Sequence, residues 1–138
     1  MSKLQLNDIA TAEAVVTEAD LASSLAKAIG ASDPFPDVYA TPRMVGLMEL
    51  ACARLLQKEL GEGELSVGVS LEVMHTAPTL AGAQVTATAR YVGRDGKLFV
   101  LKVSVSDPAG EIGHCTHKRA IIATERLIAG AEKRRLGK

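Results

Sequence analysis

Glu49 is the residue most out of place in this sequence. It is the only charge between Met44 and Ala53, a stretch otherwise made of Val45, Leu47, Met48, Leu50, Ala51 and Cys52 with one glycine. A carboxylate in such a segment is costly unless it is paired or hydrogen-bonded, and burial can lift a carboxyl pKa by as much as ~3–5 in extreme cases. The bland alternative is a solvated helix edge. Against it, the neighbours on the same helical stripe (Pro42, Val45, Gly46 and Ala53) are small and apolar. His75 is the second candidate. It closes an alternating run in which Val67, Val69, Leu71 and Val73 share its face, the face expected to meet the helix that carries Glu49. Alone it reads as a core or rim histidine, but an imidazole set between a carboxylate and a hydroxyl is an acid–base relay. Thr41 can supply the hydroxyl. Its ordinary role, ahead of Pro42, would be a helix N-cap worth about 1 kcal/mol. Positions 41 and 49 lie roughly 80° apart around a helix and two turns along it, so both can line one pocket. The helix start also offers unpaired backbone N–H groups to a developing oxyanion.

Two further clusters carry less. His114-Cys115-Thr116-His117 invites a metal reading, but on a strand, positions three apart face opposite sides, so no shared ion and no metal site is expected. Lys118 and Arg119 could meet phosphates or simply form a solvated face. No phosphate-cradling glycine loop, dinucleotide fingerprint or nucleophile elbow is present, and no cofactor is expected.

The elements that must position these residues follow from periodicity and punctuation. A short strand fits residues 11–17. Thr17 and Asp20 then have capping-box spacing ahead of a helix with Leu21, Leu25, Ala28 and Ile29 on one face and Gly30 as its stop. Pro34 and Pro36 make 31–40 a loop. The main helix runs from Thr41 to about Leu60 and, being apolar on every side, should be buried. Four strand-like runs follow: 64–76, 83–92, 97–106 and 111–124. Residues 93–96 and 107–110 are hairpin turns by composition. The tail from Glu125 is basic and predicts a frayed helix. Strands grouped after helices indicate α+β. A four-strand antiparallel meander curled around one buried helix is the hotdog arrangement. Its exposed edge and face predict a homodimer or a higher homo-oligomer.

Composition sets the frame. The 138 residues predict one domain spanning 1–138, with 1–10 and 127–138 loosely held or peripheral. Sixteen Lys plus Arg balance sixteen Asp plus Glu, which argues against a nucleic-acid partner. The scarce aromatics (two Tyr, two Phe, no Trp) make a base-stacking platform improbable. No apolar run approaches the ~18 residues of a membrane span, and the N-terminus reads as no signal peptide. A cytoplasmic location with reduced Cys52 and Cys115 is therefore the expectation.

The segments Phe35-Pro36-Asp37-Val38-Tyr39-Ala40-Thr41, Met44 to Glu49 and Ala51-Cys52 resemble the loop and central helix of the fluoroacetyl-coenzyme A thioesterase family. The similarity continues at His75-Thr76-Ala77, at Glu111-Ile112-Gly113 and at Thr116-His117 with Arg119-Ala120, covering roughly residues 11–125. The resemblance implies a dimeric hotdog enzyme hydrolysing acyl-CoA thioesters, with Thr41, Glu49 and His75 as its active residues. It also implies that Gly68 offers a backbone N–H near the thioester, that Arg119 is the strand arginine and that Phe35 is an aromatic of the lid. The preceding Ala31-Ser32-Asp33-Pro34 holds no second ring, so a small acyl group in general is expected, not selectivity for a fluorinated one. Glu49 as nucleophile or water activator, and Thr41 as competing nucleophile, stay open. The rival from another class is a non-catalytic hotdog module binding acyl-CoA or a partner protein. A hydratase would need an Asp–His pairing that the sequence does not offer.

Overall fold

A computed structural model describes residues 3–137. Its order is β1 (Ile9–Val15), α1 (Ala22–Ala28), α2 (Thr41–Leu56), β2 (Glu64–His75), β3 (Gln84–Asp95), β4 (Leu98–Asp107), β5 (Gly110–Ala123) and α3 (Thr124–Arg135), with single 3-10 turns at Glu18–Asp20 and Gln57–Glu59. The five strands form one antiparallel sheet, in the order β1-β3-β4-β5-β2, curled against α2. This is the α+β hotdog fold expected from the pattern.

The meander is shorter than predicted. Only β3, β4 and β5 follow one another as hairpins, while β2 pairs with β5 at the far edge. The reason is the connection after β2. Residues 76–83 contain Pro78 and no two-residue turn, so the chain crosses over before β3 begins. The β3–β4 hairpin also turns later than expected. Gly96 (φ 61°) makes the reversal, whereas Gly93 (φ 131°) lies at a register shift inside β3.

One apolar face of α2 builds the core. Met44, Leu47, Met48, Ala51, Cys52, Leu55 and Leu56 are buried and meet Val85, Ala87, Ala89, Leu101, Val103 and Val105 from the sheet. The alternation predicted for β3 and β4 holds at each of these strand positions. The expectation of a helix buried all round does not hold within one chain. Pro42, Gly46 and Leu50 are exposed, and Val45, Glu49 and Ala53 are half-buried. The sheet covers only one side of α2, and a single chain has nothing to cover the other.

The first strand after α2 departs most from its pattern. A β-bulge between Gly68 and Ser70 inserts one residue, Val69, into β2. A bulge exchanges the faces on its two sides. Leu71, Val73 and His75 face inward as predicted, opposite His117, Cys115 and Gly113 of β5. Ahead of the bulge, Ser66 and Gly68 face inward instead of Leu65 and Val67, and Val69 is exposed.

At the N-terminus the chain is pinned where loose residues were expected. Leu4 is buried, and the Asn7 and Tyr91 N–H groups donate to the Tyr91 and Asp8 carbonyls. The Thr17 N–H and hydroxyl both donate to the Asp20 carboxylate, 2.8 and 2.9 Å, but the motif closes the 3-10 turn, and α1 starts only at Ala22. Ile29, predicted to pack, is 82% exposed. α3 is a regular helix with no buried residue. Among the described residues no helix is long and apolar enough to cross a membrane.

Candidate active site

Thr41 and His75 meet at one end of β2. Thr41 is the first residue of α2, and the N-cap position belongs to Ala40, whose carbonyl accepts from the Arg43 and Met44 N–H groups. The Thr41 hydroxyl therefore does no capping. It lies 2.7 Å from His75 Nδ1. Since Pro42 has no N–H and the next two are taken, the helix start retains at most the Thr41 N–H for an oxyanion.

His75 Nε2 is buried and finds no hydrogen-bond partner among the described residues. Such an orphan is uncommon and needs a physical account. Burial also holds the His75 pKa below its ordinary 6.5, so the ring is neutral at pH 7. If Nδ1 accepts the Thr41 proton, Nε2 carries the ring's own hydrogen.

A cavity of about 800 Å³ opens beside this pair, between α1, residues 31–42 and residues 75–78. Its wall is largely aliphatic, with Leu25, Ala26, Ile29 and Val38 behind Thr41 and His75, and half-exposed Phe35 at its lip. The size is that of an ordinary small-molecule site.

Glu49 sits elsewhere. Its Oε2 is 3.3 Å from Arg119 Nη1, and its side chain is 42% exposed while that of Arg119 is 6% exposed. The carboxylate expected in a mostly dry place is thus half-exposed, and the group that holds it is a guanidinium. The expected contact with His75 is not made within one chain: Glu49 lies under Gly68, and seven strand residues from Gly68 to His75 span roughly 20 Å. A Cβ at Gly68 would stand 3.1 Å from Glu49 Oε2 and 2.9 Å from His117 Cε1, so only glycine fits that point of the bulge. Arg119 is anchored further by Ser66, through Nε to the hydroxyl at 3.1 Å and Nη2 to the carbonyl at 2.8 Å. It is a buried group of the inner face, not a solvated one. Lys118, beside it, points outward to Asp95.

In the sequence, His117 has no role beyond the rejected metal pair and a place in the matched Thr116-His117 segment. It is fully buried, with Nδ1 2.9 Å from the Ser70 carbonyl and Nε2 3.0 Å from Arg119 Nη1. His114 is exposed on the outer face near Glu111. The two-residue period of a strand was signal enough, because it puts 117 and 119 on one face of β5. Cys52 and Cys115 are free buried thiols, and burial pushes their pKa values up to about 12 and about 11, which leaves them inert as nucleophiles.

A family model described as fluoroacetyl-CoA-specific thioesterase matches residues 16–125. The fluoroacetyl-CoA thioesterase of Streptantibioticus cattleyicolor is 45% identical over 95 residues, 69% of this chain and 68% of that protein. The crystal structure of a mutant fluoroacetyl-CoA-specific thioesterase superposes with a TM-score of 0.88 at 34% identity, covering 97% of this chain and 99% of that one. A second, of a fluoroacetyl-CoA thioesterase mutant in complex with acetyl-CoA, gives 0.86 at 35% identity, covering 95% and 98%.

Proposed function

The chain belongs to the fluoroacetyl-CoA-specific thioesterase family and is a thioester hydrolase acting on acyl-CoA, and we propose that it cleaves small acyl groups from coenzyme A with Thr41, His75 and Glu49. The observation that carries this reading is the 2.7 Å contact between the Thr41 hydroxyl and His75 Nδ1 at the mouth of an apolar cavity. A neutral imidazole against a hydroxyl is the arrangement a nucleophile and its base require.

In this reading His75 Nδ1 takes the Oγ1 proton as Oγ1 attacks the thioester carbonyl. The tetrahedral intermediate collapses, the carbon–sulfur bond breaks, and His75 returns the proton to the leaving thiolate. Water, deprotonated by the same ring, then hydrolyses the acyl-threonine ester. Glu49 orients His75 and stabilises its charged form. Gly68, at the bulge of an edge strand, supplies the oxyanion N–H, and Phe35 closes the acyl end of the cavity.

Glu49 reaches His75 in this scheme from a second copy of the chain. Three features support that. His75 Nε2 lacks a partner, Glu49 is half-exposed on the uncovered stripe of α2, and β2 is an edge strand with Val69 and Met74 exposed. Antiparallel self-pairing of β2 about a two-fold near Glu72 would bring the Gly68 bulge, with Glu49 beneath it, beside the partner's His75. The site would then be formed twice per homodimer. Acetyl-CoA and propionyl-CoA are the first substrates to test. Their fit rests on the family and on a cavity with one aromatic at its lip.

Subunit complementation tests both claims at once. Thr41→Ala and Glu49→Gln chains should each be inactive alone with acetyl-CoA and a thiol-reactive dye. Mixed after unfolding, they should recover about a quarter of wild-type turnover, since half the dimers would hold one intact site. No recovery would mean that the triad is not shared. No turnover by the wild type on any acyl-CoA would favour a binding module.

A further inference from the structure

The one fully buried histidine has no part in the steps above, yet its surroundings fix its chemistry. Arginine carries donors only. The 3.0 Å contact between Arg119 Nη1 and His117 Nε2 therefore makes Nε2 an acceptor, which puts the ring proton on Nδ1. Nδ1–H donates in turn to the Ser70 carbonyl at 2.9 Å, the first residue after the bulge. The ring also lies against the backbone of Gly68. One tautomer satisfies every contact.

We propose that His117 is a positioning residue of the hydrolytic site: its neutral ring, protonated on Nδ1, holds the Arg119 guanidinium against Glu49 and so sets the orientation in which that carboxylate is presented. This rests on reading Glu49 as a working part of the thioesterase. A leucine of similar size could fill the space but could not accept the Arg119 hydrogen. A second proton on the ring would set Nε2–H against Nη1, cation against cation, and release the guanidinium. The charged and titratable groups around the ring are Glu49 from α2, and Arg119 and, two residues away, Cys115 from β5; the facing residues of β2 and β4, Leu71 and Leu101, do not titrate. Burial and then the Arg119 charge work against ring protonation, outweighing the Ser70 carbonyl.

The test pairs His117→Leu with His117→Gln, whose side-chain oxygen can accept from Arg119, and adds nitrogen NMR of the wild-type ring. The wild type should show the neutral Nδ1–H tautomer at pH 7. His117→Leu should remain folded and lose about tenfold or more in kcat with KM little changed. Its Arg119 Nε–H signal should broaden as the guanidinium loosens. His117→Gln should restore most of the kcat. An Nε2–H tautomer, or a protonated ring at pH 7, would overturn the proposal. So would a folded His117→Leu enzyme with full kcat and a sharp Arg119 signal. Should the wild type hydrolyse no thioester, the functional reading fails, and the NMR arms alone decide whether His117 holds Arg119.

Discussion

The two ends of β2 hold polar clusters with opposite bookkeeping of hydrogen bonds. Around Gly68, Arg119 donates to Ser66, Glu49 and His117, and His117 passes its own proton to Ser70, so each buried donor has an acceptor. Around His75 one buried ring nitrogen has none. A satisfied buried network is rigid and holds its charges in place, whereas an unsatisfied one carries a standing desolvation cost that a ligand or a second chain can remove. The contrast fits the roles proposed above, with the Arg119 end as the support and the Thr41–His75 end as the place for a substrate and a second copy of the chain.

Substitutions can break that assignment. The largest effect is expected at the reacting end. Thr41→Ala or His75→Asn should lower kcat by about 10³-fold or more with the fold intact by circular dichroism. Glu49→Gln comes next, with a loss on the order of 10²-fold. A Glu49→Gln loss larger than that of Thr41→Ala would invert the roles and make the carboxylate the nucleophile. Mass spectrometry of enzyme quenched during turnover sharpens the distinction, since an acyl-threonine adds mass to the peptide holding Thr41 and an anhydride to Glu49.

Gly68→Ala tests the support. Its new methyl would stand 2.9 Å from the His117 ring and 3.1 Å from the Glu49 carboxylate. Overpacking of this kind costs about 1–3 kcal/mol, which urea denaturation would show as a lower midpoint at unchanged slope. It should also be strongly non-additive with His117→Leu, because the two share one contact. An unshifted midpoint would mean that the bulge yields at no cost.

The smallest effect is on stability against pH. His75 and His117 are both held below the ordinary 6.5, chiefly by burial. Between those lowered values and 6.5 the unfolded chain binds more protons than the folded one, so stability is complete above about 6.5 and declines as pH falls. The Tm should drop between pH 7.5 and 5.5, and less steeply for His117→Leu. A Tm that rises on acidification would contradict the neutral assignment of both rings.

Much of this was legible in the residues. Alternation placed Val85, Ala87, Leu101 and Val103 in the core, Thr41-Pro42 marked the start of α2, and the odd charge at 49 and the histidine ending a strand singled out two of the three proposed site residues. What alternation could not show was the bulge at Val69. One inserted residue obeys the same local preferences, and only pairing with β5 reveals that Ser66 and Gly68, not Leu65 and Val67, face Arg119. That Glu49 stands beside His117 and Arg119, and not beside His75, within one chain was hidden for a related reason. Both histidines face the helix side of the sheet, and their distance from Glu49 depends on which strands are neighbours.

The amino-acid order by itself determined which side chains are chemically unusual and which face of each regular element is apolar, because side-chain type and the periods of helix and strand are local properties. Tertiary structure alone decided that Thr41 abandons its capping role for His75, that His117 stands behind Arg119, and that β2 lies at a free edge. Those outcomes depend on strand order and register, which are settled by contacts between residues far apart in the chain.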